Sequence, residues 1–350
     1  MDRTSYFLRR LLFVLPTFLG ITFLCFAVIQ FVPGGPVEQA IMRMRGDASG
    51  GEAVASANTT NGGISEEQRE AIRRHYGFDK PFLLRYWNWL WKERIGLQME
   101  SYRFPNKTAW QLIKSRFPVS LVFGLTGFLL TYLVCIPLGM AKALKNGSAF
   151  DFLTSLLVFT GYAIPVFALG MLLKMLFCGT VESLWDIFPA AGFHARDFAE
   201  MGPAARMKDT FLHMFLPVIC YMSGSFAVLT MLMKNSLLEQ IGSDYVRTVA
   251  AKGAGTLRIL FCHVLRNALI PIATGFGSAL TLIFAGSVII EQVFEIPGMG
   301  MLSLESIVGR DYPVFMGILS LTSILGLFGN ILSDFAYLLI DPRISFNQNT

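Results

Sequence analysis

Residues 119–141 read VSLVFGLTGFLLTYLVCIPLGMA, an apolar run without a single charged side chain. At about 1.5 Å of rise per residue, a helix of this length crosses the roughly 30 Å hydrocarbon core of a bilayer. Similar runs occur on both sides of it. Together they predict about six transmembrane helices, at 11–32, 119–141, 152–177, 211–233, 268–293 and 313–340. We therefore expect an all-α integral membrane protein.

Composition supports the same class. Hydrophobic residues make up 53% of the 350-residue chain and charged residues only 15%, whereas about a quarter of a soluble domain is charged. Prolines inside the apolar runs would interrupt long helices in water, but a helix bundle in lipid can satisfy the backbone groups that they free. The net charge of +5 requires no nucleic acid, because basic residues that flank membrane spans account for it.

Basic residues predict the orientation. Arg3, Arg9 and Arg10 precede the first run, and the positive-inside rule places this end in the cytoplasm. A cleaved signal peptide is the alternative, but its apolar region is shorter. We expect an uncleaved first helix and both termini in the cytoplasm. Alternation then places 142–151, 234–267 and 341–350 inside.

Three segments follow from this topology. Residues 1–32 hold the cytoplasmic amino terminus and the first helix. Residues 33–118 form a periplasmic segment whose stretch at about 45–63, rich in Gly, Ala, Ser, Asn and Thr, predicts a flexible insertion. Residues 119–350 hold five helices and the loop at about 234–267. In the outer segment Trp87, Trp89 and Trp91 suit either a membrane interface or simple packing.

Motifs for catalysis are absent from the sequence. It has no Gly-x-x-x-x-Gly-Lys-Ser/Thr phosphate loop, so this chain is not expected to hydrolyse ATP itself. The five cysteines form no Cys-x-x-Cys pair and the four histidines are scattered, which predicts neither a metal site nor a disulfide framework. Lys174 and Asp334 are the main charges within the predicted spans, and each lies near an end. We expect them to extend to the interface, with an ion relay as the alternative.

The longest inner loop reads DYVRTVAAKGAGTLRILFCHVLRNALIP over 244–271. Its pattern predicts two short helices, the first ended by Gly253, because glycine accepts the left-handed conformation that follows a helix. We expect Leu257, Leu260, Val264 and Leu265 to form an apolar stripe. Such a helix can lie in a groove of a partner protein. An ordinary basic loop that anchors two spans fits the periodicity equally well.

The same stretch resembles the EAA loop of ABC importer permeases and, more narrowly, that of the dipeptide/oligopeptide family, closest to the Yej-type peptide importer permeases. Ala250, Ala251 and Gly253 match the Ala, Ala and Gly of the pattern, while Val249 departs mildly from it. Thr248 replaces the acidic position, as is usual in the peptide subfamily. Further resemblances occur in the family's order at 6–36, 74–81, 161–165, 291–300, 310–313 and 341–344.

The resemblance implies a type I ABC importer permease fold in the bacterial inner membrane. Its implied partners are a second homologous permease, a cytoplasmic ABC ATPase (two subunits or one fused chain) and a periplasmic peptide-binding protein, besides membrane lipid. ATP and magnesium would be used by the ATPase, and no cofactor by this chain. The implied ATPase-coupling residues are Tyr245, Arg247, Thr248, Ala250, Ala251, Lys252 and Gly253, braced by His263, Arg266 and Asn267.

A self-contained secondary carrier or channel is the alternative function. It would need paired buried charges or broken helices at mid-membrane, and the sequence shows little sign of either. A membrane enzyme would need a catalytic set that is not apparent. No substrate-binding residue is predicted, and the choice of peptides or other cargo is left open.

Overall fold

The computed structural model describes residues 3–31, 70, 74, 79–179, 185–273, 275 and 283–340. These residues are predominantly helical, and their β-structure is limited to two isolated bridges, Glu100 with Thr108 and Cys178 with Asp186. In chain order the α-helices are α1 (Arg3–Phe31), α2 (Phe82–Trp87), α3 (Ala109–Leu144), α4 (Ala149–Ala163), α5 (Val166–Phe177), α6 (Pro203–Ile241), α7 (Asp244–Ala251), α8 (Thr256–Arg258), α9 (Leu265–Ala268), α10 (Ile270–Ala273), α11 (Val288–Val293), α12 (Met299–Val308) and α13 (Tyr312–Ile340). Two π-helical turns, Asn88–Lys92 and Ile259–Val264, follow α2 and α8.

Among the residues that the structure describes, four helices are long and apolar enough to span a membrane: α1, α3, α6 and α13. They confirm the apolar runs predicted at 11–32, 119–141, 211–233 and 313–340. Two of them extend well beyond those runs, since α3 begins at Ala109 and α6 continues to Ile241. Helical hydrogen bonding continues past the apolar core because it does not depend on lipid.

The run predicted at 152–177 is a broken helix. The axes of α4 and α5 differ by 97°. Proline lacks an N–H group and disfavours helical backbone at the residue before it, and Ile164, just before Pro165, is extended at φ −81° and ψ 121°. The sequence showed little sign of a broken helix, and that interpretation is wrong at this position.

The fifth predicted span, 268–293, lies partly outside the described residues. Its described parts are Ala268 at the end of α9, α10, Gly275 and residues 283–293, in which α11 begins at Val288. The described ranges therefore hold four long spans and one bent pair, and six helices stay a prediction. The insertion at 45–63 and the tail at 341–350 also lie outside the described residues.

The chain divides into two compact units. The first comprises Met1–Leu15, Ser115–Leu302 and Thr322–Thr350, and the second comprises Pro16–Lys114 and Ser303–Leu321. The two units are defined by contacts within the chain. The predicted segments 1–32, 33–118 and 119–350 are defined by their expected position relative to a membrane, and they stay predictions.

Helix α6 contributes to both apolar clusters of the first unit. One cluster surrounds Phe123 and Tyr221, and the other surrounds Met233 and Leu237. Glycines on α3 allow close approach: a Cβ on Gly139 would lie 2.7 Å from that of Met233. Small residues at such contacts let helix backbones pack closely where lipid provides no hydrophobic drive.

In the second unit, an aromatic cluster holds α2 against α1. The rings of Tyr86 and Trp89 lie 5.5 and 5.9 Å from that of Phe26. Trp89 is 3% exposed and belongs to this core, whereas Trp87 and Trp91 are 59% and 66% exposed. The interfacial interpretation therefore stays a prediction for Trp87 and Trp91 only.

Candidate functional site

Helix α7 starts directly after α6. Ser243, at the junction, has an extended backbone, and its hydroxyl donates a hydrogen bond of 2.6 Å to the carbonyl of Gln240. Asp244 lies in the first turn of α7, where a negative charge is favourable beside the helix dipole. The loop is thus attached to α6 by a short, hydrogen-bonded turn.

The end of α7 confirms the prediction for Gly253. This residue has φ +82°. Its N–H donates to the carbonyl of Ala250 at 2.9 Å, and the N–H of Ala254 donates to that of Val249 at 3.4 Å. This pair of bonds is the Schellman motif, whose left-handed position favours glycine.

The second helical stretch runs from α8 through the π-helical turn into α9. Leu260 and Val264 are buried in an apolar cluster that Val246 of α7 and Leu265 also contact. The predicted stripe is wrong at Leu257, which is 72% exposed. The π-helical turn beginning at Ile259 changes the side-chain periodicity, so a stripe drawn at α-helical spacing does not hold across it.

Most of the predicted coupling residues on α7 lie on one exposed stretch. Arg247, Thr248, Ala250, Ala251, Lys252 and Gly253 are all exposed. The ion pair between Arg247 and Asp244 spans 3.6 Å and is open to solvent, which makes it weak. Tyr245, the remaining predicted coupling residue, is partly buried, and its hydroxyl donates to Oε1 of Gln240 at 3.0 Å.

The predicted brace lies on the second helical stretch. His263 and Asn267 are partly buried and Arg266 is exposed. The hydrogen bond that ties this stretch to α6 comes from another residue, Ser236, whose hydroxyl donates to the carbonyl of Ala268 at 2.9 Å. Sequence reasoning missed Ser236 and Gln240, although a polar side chain near the end of an apolar helix was a usable signal.

An exposed apolar surface extends beyond α7. Leu257 and Phe261, four residues apart, are 72% and 55% exposed. We call Ala250, Ala251, Gly253, Leu257 and Phe261 the coupling surface. Exposed apolar groups rimmed by charges, here Lys252 and Arg258, are typical of a protein-binding surface.

Charged side chains also meet inside the first unit. Lys142, Asp151 and Lys234 form a buried cluster, which lies outside the predicted spans, in stretches that the sequence assigns to inner loops. Lys174 donates to the carbonyl of Val293 at 2.9 Å, and Arg10 pairs with Asp334 at 2.9 Å. Lys174 and Asp334 are therefore bound to residues of other helices, and their position at the membrane interface stays a prediction.

Residues 135–346 match the model of the family described as the binding-protein-dependent transport system inner membrane component. The chain belongs to this family. The matched region includes all ten predicted coupling and bracing residues, from Tyr245 to Asn267. The break between α4 and α5 and the buried charges therefore belong to a binding-protein-dependent permease, which decides against the self-contained carrier.

Relatives that match over nearly their full length are also permeases. The chain is 40% identical to the inner membrane ABC transporter permease protein YejB of Escherichia coli O157:H7 and 37% identical to the peptidoglycan transport system permease protein YejB of Agrobacterium fabrum, in each case over 98% of this chain and 99% of the relative. It is 34% identical to the dipeptide transport system permease protein DppB of Escherichia coli K12, over 97% of this chain and 98% of the relative.

The chain is thus an all-α, multi-pass permease subunit of an inner-membrane ABC importer. Such a permease works with an ATPase, a substrate-binding protein and a second permease, and ATP is hydrolysed by the partner subunits. The resemblance to ABC importer permeases that the sequence indicated is therefore confirmed.

Proposed function

We propose that this chain forms one half of the path through which an ATP-driven importer moves peptides or peptide-like compounds into the cell. The observation that carries the proposal is the exposed coupling surface, held on the end of α6 in a chain of the binding-protein-dependent permease family. A partner ATPase docked there would act on a helix that also packs in the apolar cores of the bundle.

The contacts of the loop support a coupling role. Tyr245 and Ser236 bind α7 and α9 to the same end of α6, so a displacement of the loop would move α6 with it. Closure of the ATPase around ATP and magnesium would favour one of two permease conformations by binding it more tightly. In this proposal Arg247, Thr248, Ala250, Ala251, Lys252 and Gly253 contact the ATPase, while His263, Arg266 and Asn267 position the loop.

Relatives support the cargo class. The names of two relatives mention dipeptides and peptidoglycan, which share peptide bonds. We propose peptides or peptide-like compounds as cargo, delivered by a periplasmic binding protein to this chain and a second homologous permease. The chain itself would bind no cofactor, and both of its termini would lie in the cytoplasm, as the basic residues Arg9 and Arg10 favour.

The test is gentle solubilisation of a tagged chain from its own membranes, with identification of the proteins that co-purify. The isolated complex is then reconstituted in liposomes with its binding protein, and uptake of labelled di- and tripeptides is measured with and without ATP. We expect an ATPase and a second permease to co-purify, and uptake to require ATP and binding protein.

A parallel sample with an ATPase variant that cannot hydrolyse ATP serves as the control. Solute movement by the chain alone, without ATP, would overturn the proposal and favour a carrier. ATP-dependent uptake of a different solute but not of peptides would overturn the cargo class alone.

A further inference from the structure

One carboxylate joins three helices in the first unit. Both oxygens of Asp151 on α4 lie within hydrogen-bond distance of the Lys234 ammonium on α6, at 2.9 and 2.7 Å. The ammonium of Lys142, in the last turn of α3, lies 3.1 Å from the same carboxylate. All three side chains are buried. We call Lys142, Asp151 and Lys234 the charged cluster.

The two lysines have different surroundings. Lys142 also donates to the carbonyl of Asp151 and to the hydroxyls of Thr154 and Ser155, at 2.9, 3.0 and 2.6 Å. These acceptors all lie on α4, which is joined to α3 by a short turn closed by a bond from the Gly147 N–H to Asp151. Lys142 therefore stabilises the α3–α4 hairpin by itself.

Lys234 connects that hairpin to another helix. Among the described residues, its two bonds to Asp151 are the side-chain hydrogen bonds that join α4 to α6. The carboxylate already has Lys142 as a counter-ion, so Lys234 is not needed to neutralise it. Burying a second ammonium group is costly, which indicates that Lys234 has a role other than charge neutralisation within the hairpin.

The position of Lys234 indicates that role. From Lys234 to Ile241, α6 is one uninterrupted helix that leads directly to α7, a distance of roughly 10 Å. Over the same stretch Ser236 and Gln240 hold the two helices of the loop. A displacement of the loop is therefore carried along α6 to Lys234, and from there to Asp151 on α4.

We propose that the Asp151–Lys234 ion pair transmits movement of the ATPase-coupling loop to the α3–α4 hairpin, and that Lys234 is a positioning residue for transport. The inference rests on the proposed function, since it requires an ATPase docked at the coupling surface. Without the pair, α4 loses its hydrogen-bonded connection to α6 and follows the loop less closely, so ATP is hydrolysed without a matching amount of transport.

The experiment uses the whole complex in liposomes with its binding protein and a labelled dipeptide. For Lys234→Met we expect the peptides moved per ATP hydrolysed to fall about tenfold, the range typical of coupling between sites. Lys234→Arg restores part of this ratio, because its guanidinium can still bind the carboxylate. Lys145→Met is the matched control: it lies in the same hairpin turn, is exposed, and leaves the ratio unchanged.

Each outcome is decisive. A wild-type ratio of uptake to hydrolysis in Lys234→Met overturns the inference while leaving the proposed function intact. Absence of ATP-driven uptake in the wild-type complex overturns the proposed function instead. If the Lys234→Met complex does not assemble, Lys234→Gln is used, because it retains a hydrogen-bond donor without the charge. A wild-type ratio of uptake to hydrolysis in Lys234→Gln would overturn the inference. Failure of Lys234→Gln to assemble would also overturn it, because the pair would then serve only to stabilise the fold.

Discussion

Ser120 on α3 donates a hydrogen bond of 2.8 Å to Glu291 on α11, although 171 residues separate them in the chain. The Ser120 hydroxyl in turn accepts a bond of 2.7 Å from the N–H of Met299. The second oxygen of Glu291 accepts a bond of 2.7 Å from the N–H of Met301. A fully buried carboxyl group therefore joins α3, α11 and the first turn of α12.

Replacing Glu291 with alanine should destabilise the protein. The change leaves the Ser120 hydroxyl and the Met301 N–H without their acceptor, and each orphaned donor costs about 1–3 kcal/mol. We expect a clearly lower melting temperature for the purified chain in detergent. Glu295→Ala is the control, because that side chain is 69% exposed; equal losses in both variants would contradict the assignment.

Gly253→Val should impair transport with little effect on membrane insertion. No described residue lies within 4 Å of a Cβ at Gly253, so the cost comes from φ +82° and amounts to about 1–2 kcal/mol. The end of α7 would unwind, and we expect uptake by the reconstituted complex to fall roughly tenfold.

Gly255→Val is the matched control for that experiment. A Cβ at Gly255 would also have no neighbour within 4 Å in the described part of the chain, but the φ of −67° and ψ of 151° at Gly255 suit any residue. Uptake should stay near the wild-type level. Equal uptake by the two variants would show that the Schellman turn has no part in coupling.

Arg10 and Asp334 should show a measurable interaction. Their side chains meet at 2.9 Å, and Tyr6 also donates to Asp334 at 3.2 Å. Because the Arg10 side chain is 42% exposed, we expect a coupling energy of only about 1 kcal/mol. A double-mutant cycle of Arg10→Ala and Asp334→Ala on thermal unfolding measures it; additive losses would exclude the interaction.

Asp311→Ala should loosen residues 101–109 of the second unit. The Asp311 carboxylate accepts bonds from the Ser101 hydroxyl and from the N–H of Tyr102, the latter at 3.0 Å. Both partners lose their acceptor in the variant, at about 1–3 kcal/mol each. Hydrogen exchange should therefore become faster at 101–109. Asp79→Ala, an exposed site in the same unit, should leave that exchange unchanged.

Prediction from sequence worked best where the cause is local. Four apolar runs became long helices, because lipid requires each spanning segment to satisfy its own backbone hydrogen bonds. Gly253 ends α7 as predicted, because the left-handed position depends on one residue and its immediate neighbours. The family motif at Ala250, Ala251 and Gly253 is similarly contained in a few consecutive positions.

Prediction from sequence failed where the structure depends on a change in helical periodicity or on contacts between distant residues. Leu257 is exposed because a π-helical turn follows it, and no α-helical template contains that turn. A proline within an apolar run, such as Pro165, is compatible with a continuous span, so the 97° bend between α4 and α5 could not be read from its presence. Ser236 and Gln240 were missed because their importance comes from acceptors and donors on other helices.

The sequence by itself determined the class of the protein, the places of four spans and the loop that identifies the family, because apolar content and short motifs are properties of consecutive residues. Only the tertiary structure decided which polar groups act together. Asp151 and Lys234 are 83 positions apart and meet at 2.7 Å. The residues around Asp151 do not indicate that Lys234 is its partner, and the residues around Lys234 do not indicate Asp151. A buried charge is stabilised by whichever opposite charge the packing of the helices places beside it.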